Sequence, residues 1–194
     1  MKAEYLLLVA GALALLWGCT RRITPGKMVI SSPTLGVLNL KGVSAESLIA
    51  EDRLAIGAMF SQVETSTTNS PRCDVLFLYC DLGTDGRVEG THRSLGEIVR
   101  ESGARVVVVA SENSGDGIVA AVRKTGKTYA NLAVTLQRKG SAFPSFYKRL
   151  FTSMSQGVTM PVAWVEIAPQ IPGDEHVGCP SGFFTAGAGQ IAFK

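Results

Sequence analysis

The chain has 194 residues, a formal net charge of +3, 46% hydrophobic residues and 18% charged residues. This balance fits one globular domain with a well-formed core, and it excludes disordered, collagen-like and strongly basic nucleic-acid-binding chains. The four cysteines include no CxxC pair, so we expect neither a structural zinc site nor any other metal or cofactor.

The N-terminal segment is apolar, rich in leucine and alanine from Tyr5 to Trp17, and ends in Leu16-Trp17-Gly18-Cys19. It is shorter than the roughly 20 residues of a bilayer span, which favours a signal-peptide core. The ending resembles a bacterial lipobox, whose pattern Leu16 and Gly18 match. The resemblance implies that Cys19 becomes the first mature residue and carries acyl chains such as palmitate. These chains would anchor a periplasmic lipoprotein domain.

An uncleaved anchor is the alternative interpretation of residues 1–19. Lys2 is the basic residue before the apolar core, whereas Arg21, Arg22 and Lys27 follow it. By the positive-inside rule this asymmetry would hold the rest of the chain in the cytoplasm. Under both interpretations a domain is tethered to a membrane. Residues 20–33 would then form a linker rich in turn-forming residues, and residues 34–194 a single domain.

The first predicted elements of the domain are a strand over residues 36–40 and a helix capped by Ser44. Apolar residues recur at helical spacing over residues 48–63, and a polar loop is predicted for residues 65–72. The unbroken apolar run over residues 75–79 predicts a parallel strand over residues 73–79, because strands covered on both faces show no polar alternation.

A second helix is predicted to begin at Ser94, because Ser94 and Glu97 have the spacing of a capping box, and to end at Gly103. The valine-rich run over residues 105–110 predicts the central strand of the sheet. A further helix is expected over residues 116–126, where apolar residues again recur at helical spacing.

The C-terminal third continues the alternation of strands and helices. Residues 132–136 are predicted to form a strand, and Pro144 to open a helix with an aromatic-rich face that ends at Gly157. Residues 162–167 lie between two prolines and are interpreted as an edge strand. Residues 190–193 are predicted to form a last short strand.

The fold class follows from this alternation, with a loop-like tail expected over residues 172–189. Strands that alternate with helices of about 10–15 residues indicate right-handed βαβ units. We therefore predict a three-layer α/β/α sandwich around a mostly parallel sheet of about five or six strands. Ligands of such sheets bind outside the carboxyl ends of the strands, so the loops at residues 80–90 and 111–117 are the candidate binding loops.

The first of these loops begins with Cys80, followed by an acidic residue and two glycines. Ser94-Leu95 and then Gly103-Ala104-Arg105 lead from it into the valine-rich strand. With these motifs, residues 80–109 resemble the CHAT family of caspase-like cysteine peptidases. The resemblance implies an α/β fold and a nucleophilic role for Cys80.

A cysteine nucleophile also needs a histidine partner. His92 and His176 are the two histidines of the chain and therefore the catalytic candidates beside Cys80. The CHAT family places its histidine after an earlier strand, and residues 37–42 contain none. The alternative interpretation is that Cys80 is a buried structural cysteine, since cysteine is among the most buried residue types.

The same loop is similar to a calcium-binding EF-hand or dockerin loop. Asp81 and Asp85 match two ligand positions of that loop, and Gly86 matches its turn glycine. Gly83 and His92 stand where further oxygen ligands belong, so the alternative is an acidic surface turn and no metal is predicted. Asp81 and Asp85 remain candidate ligand-binding residues.

The second loop, residues 111–117, leads from the central strand to the start of a predicted helix, where exposed amides can hold an anion. Its candidate binding residues are Ser111, Ser114, Gly115 and Gly117. The segment has neither the GxGxxG spacing nor the lysine of a P-loop, so a capped turn is the alternative.

These observations favour a membrane-tethered α/β domain that binds a partner protein or a small ligand at its strand-end loops, without enzymatic activity. One alternative is a cysteine hydrolase or peptidase that uses Cys80, and another is an anion- or nucleotide-binding module that uses residues 111–117. We expect the membrane and a protein as partners, and no nucleic acid. The periplasmic side of a bacterial envelope is the expected location, with the cytoplasm as the alternative.

Overall fold

The computed structural model describes residues 26–113, 129–136, 142–168 and 182–194. The strands in these ranges are β1 (Met28–Ile30), β2 (Thr34–Asn39), β3 (Gln62–Ser66), β4 (Val75–Tyr79), β5 (Val106–Ser111), β6 (Asn131–Leu136), β7 (Gly182–Ala186) and β8 (Ile191–Phe193). The α-helices are α1 (Glu46–Ile56), α2 (Leu95–Ser102), α3 (Ala142–Ser155) and α4 (Met160–Ile167), and short 3₁₀ helices (Gly42–Ala45 and Gly57–Met59) flank α1.

Six strands form one mixed sheet in the order β3-β2-β4-β5-β6-β7. Neighbouring strands are parallel from β3 to β6, and β7 runs antiparallel to β6 at the edge. This sheet confirms the mostly parallel α/β fold that the continuous apolar runs predict. The strands β1 and β8 form a separate, parallel two-stranded sheet.

Helices cover both faces of the six-stranded sheet. On one face α1, α3 and α4 pack in an aromatic-rich cluster, in which the ring of Phe77 contacts Phe143 and Tyr147 edge-on. On the other face α2 inserts Leu95 and Ile98 among the valines and leucines of β4 and β5. Burial on both faces explains why the central strands lack the polar alternation of half-exposed strands.

The connections that follow the neighbouring parallel strands β2 and β4 lead to opposite sides of the sheet. β2 leads through α1 to β3 on one side, and β4 leads through α2 to β5 on the other. Because parallel crossovers are right-handed, α1 and α2 lie on opposite faces of the sheet. Their divergence opens a crevice at the carboxyl ends of β2 and β4, which is the usual ligand-binding position in such sheets.

The capping box is confirmed. Ser94 Oγ accepts a hydrogen bond from Glu97 N, and Glu97 Oε2 accepts one from Ser94 N at 2.7 Å. Gly103 ends α2 in the left-handed conformation, with φ of 69°. The helix predicted from Pro144 is also present as α3 and buries its aromatic face.

Two of the predicted features are wrong. Residues 162–167 belong to helix α4, because Pro161 lies in the first turn of that helix, where its missing N–H leaves no bond unmade. Ser44 does not cap α1, which begins after a 3₁₀ helix, and its hydroxyl instead donates to Lys41 O.

Three strands lie in segments that the sequence predicts to be irregular. β3 falls at the end of the predicted helix and in the polar loop; it is a polar edge strand that pairs with β2. β7 falls in the predicted loop-like tail, and β1 in the predicted linker. Short or exposed strands bury few side chains, so their apolar pattern is weak.

Candidate functional site

The carboxyl ends of β2, β4 and β5 surround a cleft of about 180 Å³. The residues that line this strand-end cleft are Lys41, Ser44, Ala45, Leu48, Tyr79, Ala110, Ser111 and Glu112. They come from the segment after β2, the 3₁₀ helix that follows it, the first turn of α1, the last residue of β4, and the end of β5 with the residue after it. The cleft therefore occupies the crevice that the diverging crossovers create.

Lys41 is the charged centre of the cleft. Its Nζ lies 3.1 Å from Asp81 Oδ2 and 3.2 Å from Glu112 Oε2. The Lys41 side chain is 16% exposed and that of Asp81 25%, whereas the Glu112 side chain is 68% exposed. Because solvent screens exposed ion pairs strongly, Asp81 is the tighter partner of Lys41 and Glu112 the looser one.

The buried side chain of Asn39 fixes the backbone around Lys41. Its Oδ1 accepts a hydrogen bond from Lys41 N at 3.0 Å, and its Nδ2 donates to Gly42 O at 2.9 Å. Gly42 adopts φ of 73°, a left-handed conformation that a side chain would strain. The turn after β2 is therefore held from the core side, and it directs the lysine toward Asp81.

The loops after β4 and β5 are joined by side chains that act on backbone groups. Asn113 Oδ1 accepts from Leu82 N at 2.8 Å, and Asn113 Nδ2 donates to Leu82 O at 2.9 Å. Asp81 Oδ1 accepts from Glu112 N at 2.8 Å. These three bonds fix the position of Asp81, so the acidic partner of Lys41 is held in place before any ligand arrives.

The floor of the cleft is polar at one point and otherwise apolar. The buried hydroxyl of Tyr79 donates to Asp52 Oδ2 at 2.7 Å, and Asp52 is 1% exposed. Ala45, Leu48 and Ala110 supply the apolar walls. The cleft thus combines a charged rim with an aliphatic interior, as small-molecule sites commonly do.

Cys80 does not line the cleft. It is 1% exposed and packs in the apolar cluster under α2, where burial, reinforced by neighbouring Asp81, raises the pKa of its thiol. His92 lies on an exposed loop and, among the described residues, makes no hydrogen bond to Cys80. His176 lies outside the described residues. Burial and a raised pKa both disfavour a thiolate nucleophile.

The two aspartates of the first loop serve different partners. Asp81 faces Lys41, whereas Asp85 Oδ1 accepts from Arg87 N at 3.0 Å within a tight turn. Gly86 has φ of 84° in that turn, and Gly83 N donates to Arg87 O at 2.8 Å. Within the described ranges, no three acidic, histidine or cysteine side chains converge as metal ligands would. In the first loop, Asp81 thus lies at the cleft and Asp85 lies in a separate tight turn.

The second loop contributes to the cleft in a way that its sequence does not predict. Ser111 is 1% exposed, and its hydroxyl donates to Thr135 O of β6 at 3.2 Å, so it lines the cleft without a free hydroxyl. Ser114, Gly115 and Gly117 lie outside the described residues, as does the predicted lipidation site Cys19. Sequence reasoning missed Lys41, Glu112 and Asn113, whose shared signal is their position one or two residues after a buried strand.

None of the described helices has the length and apolar character needed to cross a bilayer. Residues 1–19 lie outside the described part of the chain. No model of a known protein family matches this sequence, and no curated protein matches it as a relative.

Proposed function

We propose that this chain is a membrane-tethered α/β domain that binds a small ligand in the strand-end cleft. The observation that carries the proposal is the half-buried Lys41 at the diverging crossovers, with one fixed carboxylate partner and one exposed one. A lysine held this way has N–H groups that a ligand can reach once Glu112 turns away. The position of the cleft at the strand ends, its charged rim and its concave shape therefore all favour it as the ligand site.

The size of the cleft limits the ligand. The cleft has a volume of about 180 Å³. Sites for drug-sized ligands and cofactors enclose about 300–1,000 Å³. We therefore expect a ligand about the size of an amino acid or a short organic acid.

The position of the N-terminal segment is compatible with a membrane tether. Lys27 Nζ donates to Gly157 O after the end of α3, and Ser32 N donates to Lys194 O at the C-terminus. These contacts bring the chain in at the amino-terminal edge of the sheet, whereas the cleft opens at the carboxyl edge. A tether at residues 1–19 would therefore leave the cleft facing the aqueous phase.

A titration followed by nuclear magnetic resonance tests the proposed function. The full chain, isotope-labelled in detergent micelles, is mixed with butyrate, butylammonium, butanol and the amino acids valine and glycine. We expect saturable shifts of backbone amides at residues 41–48 and 110–112 with at least one of these probes. Amides of the exposed residue Lys148 on α3 serve as the internal control. If none of the probes shifts the cleft amides, the proposal is wrong.

A further inference from the structure

We propose that the strand-end cleft selects a small zwitterionic amino acid, with its carboxylate on Lys41 and its ammonium group on Glu112. This inference rests on the proposed function of the cleft and names its ligand class. It starts from the arrangement of the three charged groups on the rim.

Glu112 occupies the place that a ligand carboxylate would take. Its Oε2 lies 3.2 Å from Lys41 Nζ, yet 68% of the side chain is exposed, and its backbone N–H is held separately by Asp81. The glutamate side chain can therefore rotate into solvent without disturbing the loop. A carboxylate that comes from solution offers Lys41 the same charge and the same acceptor atoms.

The pairing of the individual charged groups then favours one class of ligand. Lys41 carries one positive charge, and Asp81 and Glu112 together carry two negative charges. A simple carboxylic acid anion would displace Glu112 and leave two like charges close together. A simple amine would find an attractive rim but would leave the lysine–glutamate pair in place. An amino acid pairs with both groups, because its carboxylate meets Lys41 and its ammonium meets the displaced Glu112.

The residues that line the cleft interior indicate which side chain the amino acid carries. Ala45, Leu48 and Ala110 give an aliphatic interior, and the Tyr79 hydroxyl is already bonded to Asp52. Apolar walls favour an apolar side chain, since burying a polar group without a partner is costly. A branched aliphatic side chain of three or four carbons fits a volume of about 180 Å³.

Three probes of similar shape separate the contributions of the carboxylate and the ammonium group to binding. Valine carries both groups, 3-methylbutanoate lacks the ammonium group, and valinamide lacks the carboxylate. Dissociation constants come from the amide shifts of the full chain in micelles. We expect valine to bind at least about tenfold more tightly than either analogue. The anion 3-methylbutanoate leaves the displaced Glu112 without a cationic partner, and valinamide has no carboxylate to replace Glu112 at Lys41. Equal binding of valine and valinamide would overturn the assignment of the carboxylate to Lys41.

Two substitutions sharpen the test. Lys41→Met should weaken valine binding about tenfold or more, because the carboxylate loses its partner. Glu112→Gln should weaken valine binding yet strengthen 3-methylbutanoate binding, because the glutamate charge no longer competes for Lys41. Glu51→Gln, an exposed change on α1, is the matched control and should alter neither constant.

The outcomes distinguish the ligand class from the site itself. If butyrate or butylammonium shifts the cleft amides and valine does not, the ligand class is wrong and the proposed function stands. If Glu112→Gln weakens both valine and 3-methylbutanoate, the displacement model is wrong. If no probe shifts the cleft amides, both proposals are wrong.

Discussion

Lys41 joins loops that belong to different strands, and its contacts depend on how the sheet is ordered. It follows β2, whereas Asp81 follows β4 and Glu112 follows β5. Each residue alone is an ordinary charged loop residue. Together they form a charged rim because β2, β4 and β5 are adjacent and parallel, with their carboxyl ends at one edge.

Cys80 gives a clear prediction at the same scale. Burial should leave its thiol unreactive toward iodoacetamide at pH 8 in the native chain, and reactive in denaturant. Cys73 should react slowly, since burial raises its pKa to about 12. Peptide mass spectrometry after timed labelling measures each site separately. Rapid native labelling of Cys80 would contradict this account and would favour the peptidase hypothesis.

The sequence predicts some of these residues and misses others for a physical reason. Asp81 and Ser111 are identified as candidates because they directly follow, or end, continuous apolar strands. Lys41 and Glu112 are not identified, since their contact requires knowing that β2, β4 and β5 lie side by side in that order. Strand order is a non-local property, and no local pattern in this chain encodes it.

At the scale of elements, α2 is the best-specified helix of the chain. Ser94 and Glu97 exchange hydrogen bonds at its start, and Gly103 ends it in the left-handed conformation. These signals are local, so the sequence predicts both ends correctly. Helix α4 shows the opposite case, because proline is compatible with both an edge strand and the first turn of a helix. The burial of Met160 and Ala163 against the rest of the fold favours the helix over the strand.

Removing the cap should destabilise the fold. Ser94→Ala should lower the free energy of unfolding by about 1 kcal/mol, because the Glu97 amide loses its acceptor. Urea denaturation followed by circular dichroism measures this change. Ser47→Ala, an exposed change in α1, is the matched control and should stay within about 0.5 kcal/mol of wild type. Equal effects of the two substitutions would contradict the capping role.

The stabilisation that the capping box provides should also depend on pH. Hydrogen bonds from Ser94 lower the pKa of Glu97, so the folded state favours the ionised carboxylate. The stabilisation is therefore fully present above the ordinary pKa of glutamate and is lost as the pH falls through the lower, folded-state value. The difference in unfolding free energy between wild type and Glu97→Ala should shrink from pH 7 to pH 3. A difference independent of pH would contradict this linkage.

At the scale of the whole molecule, the described fold separates two edges of the sheet. The chain enters near Gly157 and Lys194 at the amino-terminal edge, and the cleft opens at the carboxyl edge. The proposed membrane anchor and the proposed ligand site would therefore not compete for the same surface. This separation suits a domain that is held at a membrane and samples solutes from the water beside it.

The tether itself is tested by the intact mass of the chain purified from bacterial membranes. We expect a chain that begins at Cys19 and carries acyl groups, and we expect Cys19→Ser to abolish both the cleavage and the added mass. An uncleaved, unmodified chain in the membrane would contradict the lipoprotein hypothesis and favour the cytoplasmic anchor. An unmodified chain in the soluble fraction would contradict both forms of tether.

The binding role of Lys41 is tested by comparing two lysine substitutions with wild type. The dissociation constant of each probe that shifts the cleft amides is measured for wild type, Lys41→Met and Lys148→Met. We expect Lys41→Met to weaken binding of carboxylate-bearing probes about tenfold or more, because their charge partner is gone. Lys148→Met, which removes an exposed lysine of α3, should leave every constant unchanged. Equal constants for wild type and Lys41→Met would contradict this binding role.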